Sequence, residues 1–223
     1  MILNNLSLAA RRGAITLLIG PNGAGKSTVL KTLFGLLKPR QGRVLLDGAD
    51  VTGAAPKDLL AHGIAFVPQG RNLFPQLTVW QNLELGGITL GRRLTHARIP
   101  AVLELFPRVR ERLHAQASAL SGGEQKQLEI GRALLLQPKV LLIDEPSIGL
   151  SPLVVADVFR LLRRLAGEGT TVLMVEQNVK SALKVSDDAI ALESGRLVLH
   201  KPAGELLADP HIERLFLGSA AAV

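Results

Sequence analysis

A glycine-rich segment with one lysine and one serine lies near the start of the chain, between an apolar run and a helical pattern. Its spacing, Gly-x-x-x-x-Gly-Lys-Ser, is that of phosphate-binding loops, in which glycines let backbone N–H groups turn toward phosphates. The lysine then reaches the terminal phosphates, and the serine hydroxyl offers an oxygen ligand to Mg²⁺. A glycine-rich turn that binds nothing is the alternative, which the strand-to-helix context disfavours. The predicted loop comprises Gly20, Pro21, Asn22, Gly23, Ala24, Gly25, Lys26 and Ser27, with Thr28 next to it at the helix start.

A second apolar run, residues 140–143, ends in two adjacent acids, Asp144 and Glu145. Open α/β sheets bind ligands at the carboxyl ends of their strands, so we expect these acids beside the phosphate loop. Hydrolysis of a phosphoanhydride needs a cation that offsets phosphate charge and a group that orients or deprotonates water. We assign Asp144 to the cation and Glu145 to the water. A solvated strand end is the alternative, and the phosphate loop favours the catalytic interpretation.

Residues 120–124, Leu-Ser-Gly-Gly-Glu, predict a second anion-binding device. Ser121 is a good helix cap, Gly122 and Gly123 expose backbone N–H groups, and apolar residues follow Glu124 at helical spacing. One nucleotide needs only one phosphate loop, so this second helix start suggests that each site is completed by another copy. A capped helix without a ligand is the alternative.

The elements that must hold these residues are indicated by short apolar runs, several of them without polar alternation, which is typical of strands buried on both faces of a mostly parallel sheet. Helical patterns separate many of the runs, so the predicted fold class is α/β. The predicted strands are 14–19, 43–46, 64–67, 140–143, 171–175 and 189–192. The predicted helices are 26–36, 78–85, 98–113, 123–136, 153–166 and 178–185.

We interpret the chain, residues 1–223, as one domain with two lobes. Residues 73–137 carry only helical patterns and form a helical subdomain inserted into the sheet. Residues 1–72 and 138–223 form the core lobe. The segment 6–19 resembles a hairpin, which predicts an N-terminal antiparallel β part beside the parallel core.

The composition limits the class of protein. A chain of 223 residues that is 47% hydrophobic suits a packed globular domain. Its net charge of +7 suits an anionic partner, but the helical spacing of Arg160, Arg163 and Arg164 favours a solvated helix face over a nucleic-acid surface. The absence of cysteine excludes disulfides and thiolate metal sites and fits a reducing cytoplasm. No apolar run approaches the roughly 20 residues that span a bilayer, so a membrane role requires a partner subunit.

The ordered set of phosphate loop, Gln69, the 120–124 sequence and the strand ending in two acids resembles the ATP-binding cassette (ABC) family over nearly the whole chain. The resemblance implies an Mg²⁺-dependent ATPase in which two cassettes close head to tail over two ATP molecules. It implies that Ser121, Gly122 and Gly123 contact the γ-phosphate held by Lys26 of the second copy. Gln69 would then join Ser27 and Asp144 around Mg²⁺ and would also contact a membrane subunit.

Residues 67–75, 127–134 and 175–178 show a closer resemblance, to the F-type ATP-binding subunits of bacterial high-affinity branched-chain amino acid importers. It implies membrane permease partners, a second cassette that is an identical copy or a sister subunit, and indirect action with a periplasmic solute-binding protein. It also implies a place on the cytoplasmic face of the inner membrane and no nucleic-acid partner. A related urea or amide importer, or a non-transport ABC ATPase, is the alternative.

Two departures from the family pattern affect the site. Gln177 lies where most cassettes have a histidine; its amide can donate a hydrogen bond without carrying charge, so we hypothesise that Gln177 positions the γ-phosphate. A polar residue at a helix start is the alternative. The chain also looks short at its N-terminus relative to the family and has no tyrosine, and its phenylalanines and tryptophan all follow the phosphate loop. We therefore expect this chain to bind adenine more weakly than cassettes in which an aromatic side chain stacks on the base.

Overall fold

The structure, a computed structural model, describes residues 2–70 and 72–208 and contains eight strands within them. Six form the central sheet: β1 (Ile15–Ile19), β4 (Ile64–Val67), β5 (Val140–Asp144), β6 (Thr171–Val175), β7 (Asp188–Glu193) and β8 (Arg196–Pro202). The order across this sheet is β4-β5-β6-β1-β7-β8. The remaining two, β2 (Leu45–Leu46) and β3 (Ala49–Asp50), form a separate antiparallel sheet.

Helices cover the central sheet and fill the chain between its strands. Within the described residues they are α1 (Lys26–Leu33), α2 (Pro56–Ala61), α3 (Val79–Gly86), α4 (Arg92–Glu104), α5 (Pro107–Arg110), α6 (Gly122–Leu134), α7 (Pro152–Gly167), α8 (Val179–Leu183) and α9 (Ala203–Ala208). Two short 3-10 helices, Ile88–Leu90 and Ala117–Ala119, also occur. None of the helices in the described part is long and apolar enough to cross a membrane.

Five neighbouring strands, β4, β5, β6, β1 and β7, run parallel, and β8 pairs antiparallel to β7. Every residue of β1 and of β6 is buried, which explains why their sequences are continuous apolar runs rather than alternating ones. Parallel strands require a crossover between them, and the helices supply these crossovers. The predicted α/β fold with a mostly parallel core sheet and an antiparallel β part is confirmed.

Two hydrophobic clusters lie on the two faces of the sheet. Alternate residues of β1 enter different clusters: Ile15, Leu17 and Ile19 pack with the first, and Leu18 packs with the second. The first cluster is continuous from the sheet into α3, α4, α5 and α6, so the helical region shares its core with the strands. The second lies under α1 and α2. The exact lobe boundaries at 72/73 and 137/138 stay a prediction.

Three sequence expectations were wrong in detail. The predicted helix 98–113 is two helices, α4 and α5, because Pro107 cannot continue α4 and instead starts a new helix as its first residue. The predicted hairpin 6–19 does not form, since no described residue before Ile15 belongs to a strand. The predicted strand 43–46 is reduced to the two residues of β2 and lies outside the central sheet.

Candidate functional site

The carboxyl ends of four parallel strands bring the predicted site residues to one edge of the sheet. Val175 of β6 pairs with Asp144 of β5 and with Leu18 of β1, so these three strands end at the same level. Val67 of β4 pairs with Ile143. The phosphate loop, Gln69, the acid pair and Gln177 each lie at or within two residues of one of these strand ends, so the structure brings them together at the edge where open α/β sheets bind ligands.

The phosphate loop begins at a position that only glycine can occupy. Gly20 has φ 145°, and a Cβ atom there would lie 2.1 Å from the carbonyl oxygen of Leu192. The loop therefore passes directly over the end of β7 and turns into α1. Because α1 begins at Lys26, its first free N–H groups and its dipole face the space that the loop encloses.

Lys26 is already oriented within this loop. Its side chain is buried, and Nζ donates hydrogen bonds to the carbonyl oxygens of Gly20, at 2.7 Å, and Pro21, at 3.0 Å. Burial lowers the pKa of Lys26, and the negative charges of Glu145 and Asp144 act in the opposite direction. The loop thus holds an ammonium group at the position where phosphate oxygens can replace the two carbonyls.

Asp144 ends β5 and is only 1% exposed. Burial raises the pKa of Asp144, while a hydrogen bond from the Ser27 side chain opposes that rise. Its Oδ1 atom is buried and has no hydrogen-bond partner within the described residues. Because buried polar atoms are normally hydrogen-bonded, an oxygen of this kind is expected where a carboxylate binds a ligand. The donor set of one carboxylate and one hydroxyl suits Mg²⁺, which takes one or two carboxylates and completes its shell with phosphate oxygens and water.

Glu145 is buried and held from both sides by amides. Nε2 of Gln69 donates to Glu145 Oε2 at 2.7 Å, and Nε2 of Gln177 donates to Glu145 Oε1 at 2.7 Å. The backbone of Glu145 has φ 49°, a left-handed conformation that costs a non-glycine residue roughly 1–2 kcal/mol. A hydrogen bond of 2.9 Å from Glu145 N to the carbonyl oxygen of Val175 holds this conformation. Strain of this kind is typical of functional positions.

Glu176, next to Gln177, is a site residue that the sequence analysis missed. It is 2% exposed, and its carboxylate accepts hydrogen bonds from the backbone N–H and the hydroxyl of Ser147, both at 2.7 Å. Backbone N–H groups of Gln177 and Asn178 also donate to it. Burial raises the pKa of Glu176, and these hydrogen bonds oppose the rise. Glu176 thereby ties the loop after β5 to the loop after β6. Its sequence signal is an acid directly after a buried strand, as for Asp144.

The 120–124 sequence lies apart from the phosphate loop, with no hydrogen bond between them in the described structure. Ser121 and Glu124 form a capping box at the start of α6: Ser121 Oγ accepts from Glu124 N, and Glu124 Oε2 accepts from Ser121 N. The carboxylate of Glu124 is therefore engaged by its own helix. Gly123 packs against α7, since a Cβ there would lie 3.0 Å from Val154, whereas nothing lies within 4 Å of a Cβ placed on Gly122.

The N-terminal segment lies on the outside of the phosphate loop. Ile2 and Leu3 pack beside Gly25, and Asn4 N donates to the carbonyl oxygen of Gly195 at 2.9 Å. Ile2 is 58% exposed. The side chains next to the phosphate loop on this side are thus aliphatic, and the expected weaker adenine affinity stays a prediction.

A glycine-rich loop with a buried lysine, an unpartnered carboxylate oxygen and a second, amide-held carboxylate at the same sheet edge define a P-loop nucleoside triphosphatase. The chain belongs to the ABC transporter family, whose profile, described as "ABC transporter", matches residues 3–148. It is therefore an ABC ATPase cassette that binds nucleotide.

Similar proteins include cassettes for different transported solutes. The high-affinity branched-chain amino acid transport ATP-binding protein BraG of Pseudomonas aeruginosa is 43% identical, covering 97% of this chain and 93% of BraG. A probable branched-chain amino acid transport ATP-binding protein, LivF of Archaeoglobus fulgidus, is 39% identical, covering 97% and 92%. The lipopolysaccharide export system ATP-binding protein LptB of Escherichia coli is 32% identical, covering 97% and 91%. The predicted resemblance to branched-chain amino acid cassettes is confirmed.

Solved cassettes share the fold. One, described as a dimeric post-hydrolysis state of the ATP-binding cassette MJ0796 bound to ADP and Pi, is 30% identical with a TM-score of 0.80. The match covers 91% of this chain and 90% of that one.

Proposed function

We propose that the chain hydrolyses ATP to energise uptake of branched-chain amino acids through membrane permeases. The observation that carries the hydrolytic part is the position of Glu145. Its carboxylate is buried at the sheet edge beside the phosphate loop and is held by Gln69 and Gln177, with no cationic side chain hydrogen-bonded to it in the described residues. A carboxylate positioned in this way can accept a proton from an attacking water.

The proposed chemistry assigns one task to each residue. When ATP enters, Lys26 Nζ exchanges the carbonyls of Gly20 and Pro21 for β- and γ-phosphate oxygens, and the backbone N–H groups of residues 22–28 surround the phosphates. Glu145 then orients a water toward the γ-phosphorus and accepts its proton. Ser27, Asp144 and Gln69 would hold Mg²⁺, which supplies positive charge that offsets the charge on the phosphate oxygens.

A second cassette completes the site in this proposal. Ser121, Gly122 and Gly123 lie at a helix start that makes no hydrogen bond to the phosphate loop within the described residues, and the space beside Gly122 is open. The dimeric arrangement of MJ0796 supports a pair of cassettes as the working unit. The partner is either a second copy or a sister subunit.

The transported solute rests on similarity to BraG and LivF. This chain covers nearly the full length of both, which supports branched-chain amino acid import with permeases, indirect action with a periplasmic solute-binding protein, and a peripheral place on the cytoplasmic face of the inner membrane. No nucleic-acid partner is proposed. Similarity to LptB shows that related cassettes also serve export, so another transported solute is the second candidate.

A transport assay tests the proposal. Permeases that copurify with the tagged chain from its native membranes are reconstituted with it in proteoliposomes, and ATP-dependent accumulation of labelled leucine, valine and urea is measured. The proposal predicts accumulation of leucine and valine by the complex and none by the Glu145→Gln complex. ATP-dependent movement of a different solute alone would overturn the substrate assignment.

A further inference from the structure

In the loop between Gln69 and α3, Asn72 makes hydrogen bonds through its side-chain amide nitrogen, its backbone N–H and its carbonyl oxygen. The Asn72 side-chain amide nitrogen faces the carbonyl oxygens of the turn before it: Pro68 at 3.2 Å, Gln69 at 3.4 Å and Gly70 at 3.2 Å. An asparagine amide that faces several backbone carbonyls holds them together in place of regular backbone pairing. Asn72 therefore fixes the backbone from which the Gln69 side chain projects toward Glu145.

The backbone of Asn72 is held by helix α6. Asn72 N donates to Glu129 Oε1 at 2.7 Å, and Arg132 Nη1 donates to the carbonyl oxygen of Asn72 at 2.6 Å. Glu129 and Arg132 are three residues apart and share one face of the helix. We call Asn72, Glu129 and Arg132 the Asn72 clamp.

The helical side of the clamp is firmly anchored. The other carboxylate oxygen of Glu129 lies 2.7 Å from Lys126 Nζ, and these side chains are 4% and 6% exposed. The Arg132 guanidinium lies 5.5 Å from the centre of the Phe74 ring, a cation–π contact in the same loop as Asn72. The Lys126–Glu129 contact is a buried ion pair that does not meet hydrogen-bond geometry. A buried pair of opposite charges resists separation, because each charge would then lie uncompensated in the interior.

The same helix carries Gly122 and Gly123 at its start. With a rise of about 1.5 Å per residue, Glu129 lies about 10 Å along the helix from Gly122. Both positions belong to one continuous 13-residue helix that begins at a capping box, so its hydrogen-bonded backbone connects them directly. A movement of the helix start therefore shifts the Asn72 clamp and, with it, the turn that positions Gln69.

We propose that Asn72 is a positioning residue that connects Gln69 to helix α6. A movement of the start of α6, caused by the nucleotide bound to the other chain, would then change the position of Gln69 in the hydrolysis site of this chain. This inference rests on the proposed ATP hydrolysis by paired cassettes. Asn72 touches neither phosphate nor Glu145, and it acts through Gln69.

Asn72→Ala tests the inference without disturbing a buried charge, because the side chain is exposed and Glu129 keeps Lys126. We expect kcat for ATP hydrolysis by the purified full chain to fall about tenfold, as for the loss of one well-placed hydrogen bond. KM for ATP stays within about twofold, since the phosphate loop is untouched. Asn72→Asp, which has the same shape but no amide donor, is expected to match Asn72→Ala. Gln76→Ala is the control, since Gln76 is exposed in the same loop and has no hydrogen bond among the described residues.

A double-mutant cycle separates positioning from general stability. If Asn72 acts through Gln69, Asn72→Ala lowers kcat by less than about twofold in a Gln69→Ala background. Arg132→Met, which keeps the apolar stem and removes the donor to Asn72, is expected to lower kcat similarly and to be non-additive with Asn72→Ala. Equal losses from Asn72→Ala with and without Gln69 would overturn the proposal.

The outcomes also separate this inference from the proposed function. If the wild-type chain hydrolyses ATP and Asn72→Ala and Asn72→Asp keep its kcat, the clamp proposal alone is wrong. If the wild-type chain does not hydrolyse ATP when it is bound to ATP and supplied with Mg²⁺ and its permeases, both the proposed function and this inference are wrong.

Discussion

Removal of the amide of Gln177 tests how the hydrolysis site is organised. The sequence analysis assigned Gln177 to the γ-phosphate, whereas in the structure its Nε2 atom donates to Glu145 Oε1 at 2.7 Å. Glu145 also accepts from Gln69 at 2.7 Å, so each carboxylate oxygen has one amide partner. Gln177→Ala would leave Oε1 without its donor and let the carboxylate rotate away from the position in which it faces the water.

The size of the effect follows from that one bond. Hydrogen bonds to charged groups contribute about 1.5–3 kcal/mol, and because Gln177 is exposed, water competes and the lower end, about 1.5 kcal/mol, applies. About 1.4 kcal/mol on a barrier is a tenfold change in rate. We therefore expect kcat of Gln177→Ala to be about tenfold below that of the wild type.

Steady-state hydrolysis at saturating ATP, together with equilibrium binding of ATP and ADP, distinguishes the two roles of Gln177. If Gln177 acts through Glu145, kcat falls and the affinities for both nucleotides stay unchanged. If it contacts the γ-phosphate, ATP affinity falls and ADP affinity does not. Gln177→Glu, which has nearly the same shape, places a negative charge next to the Glu145 carboxylate and is expected to lower kcat further. An unchanged kcat in Gln177→Ala would refute the role through Glu145, and an unchanged ATP affinity as well would refute both roles.

Two further predictions concern the elements that support the site. Ser121→Ala removes the side-chain half of the capping box of α6 and is expected to lower the free energy of unfolding by about 1 kcal/mol in urea titrations. Unchanged stability would contradict this capping role. Burial raises the pKa of Glu176 above its ordinary value of 4.5, so the folded chain binds the proton more tightly than the unfolded chain, and stability falls as pH rises through the interval between the two pKa values. Glu176→Gln is expected to remove this fall in stability as pH rises above 4.5, and parallel curves for the two proteins would contradict it.

Strands were predictable where the sequence is apolar without interruption. The predicted bounds of β4 and β6 match the structure to the residue, because β4 is an apolar run between Gly63 and Pro68 and β6 is an almost entirely apolar run that ends before Glu176. Residues 6–19 misled the prediction because Leu6 and Leu8 alternate as in a strand. In the structure they pack onto the second hydrophobic cluster without pairing their backbone. Side-chain spacing predicts which face is buried, but not whether a neighbouring strand is present.

The phosphate loop and the acid pair were predictable because each is a short motif whose chemistry depends on adjacent residues. The Asn72 clamp was not, since Asn72 and Glu129 are 57 positions apart and meet only after α6 packs beside the loop. The role of Glu176 was predictable only in part. Its position after a buried strand gave a signal, but the hydrogen bonds that engage it come from Ser147 in another loop.

Hydrolysis by Glu145→Gln tests the central claim most directly, because this substitution preserves the shape of the side chain and removes the group that accepts the proton. With ATP, Mg²⁺ and the permease complex, we predict that kcat falls by about 10²–10⁴-fold, the usual contribution of a general base, while ATP binding persists. Hydrolysis by Glu145→Gln at the wild-type rate would contradict the assignment of Glu145 as the catalytic base.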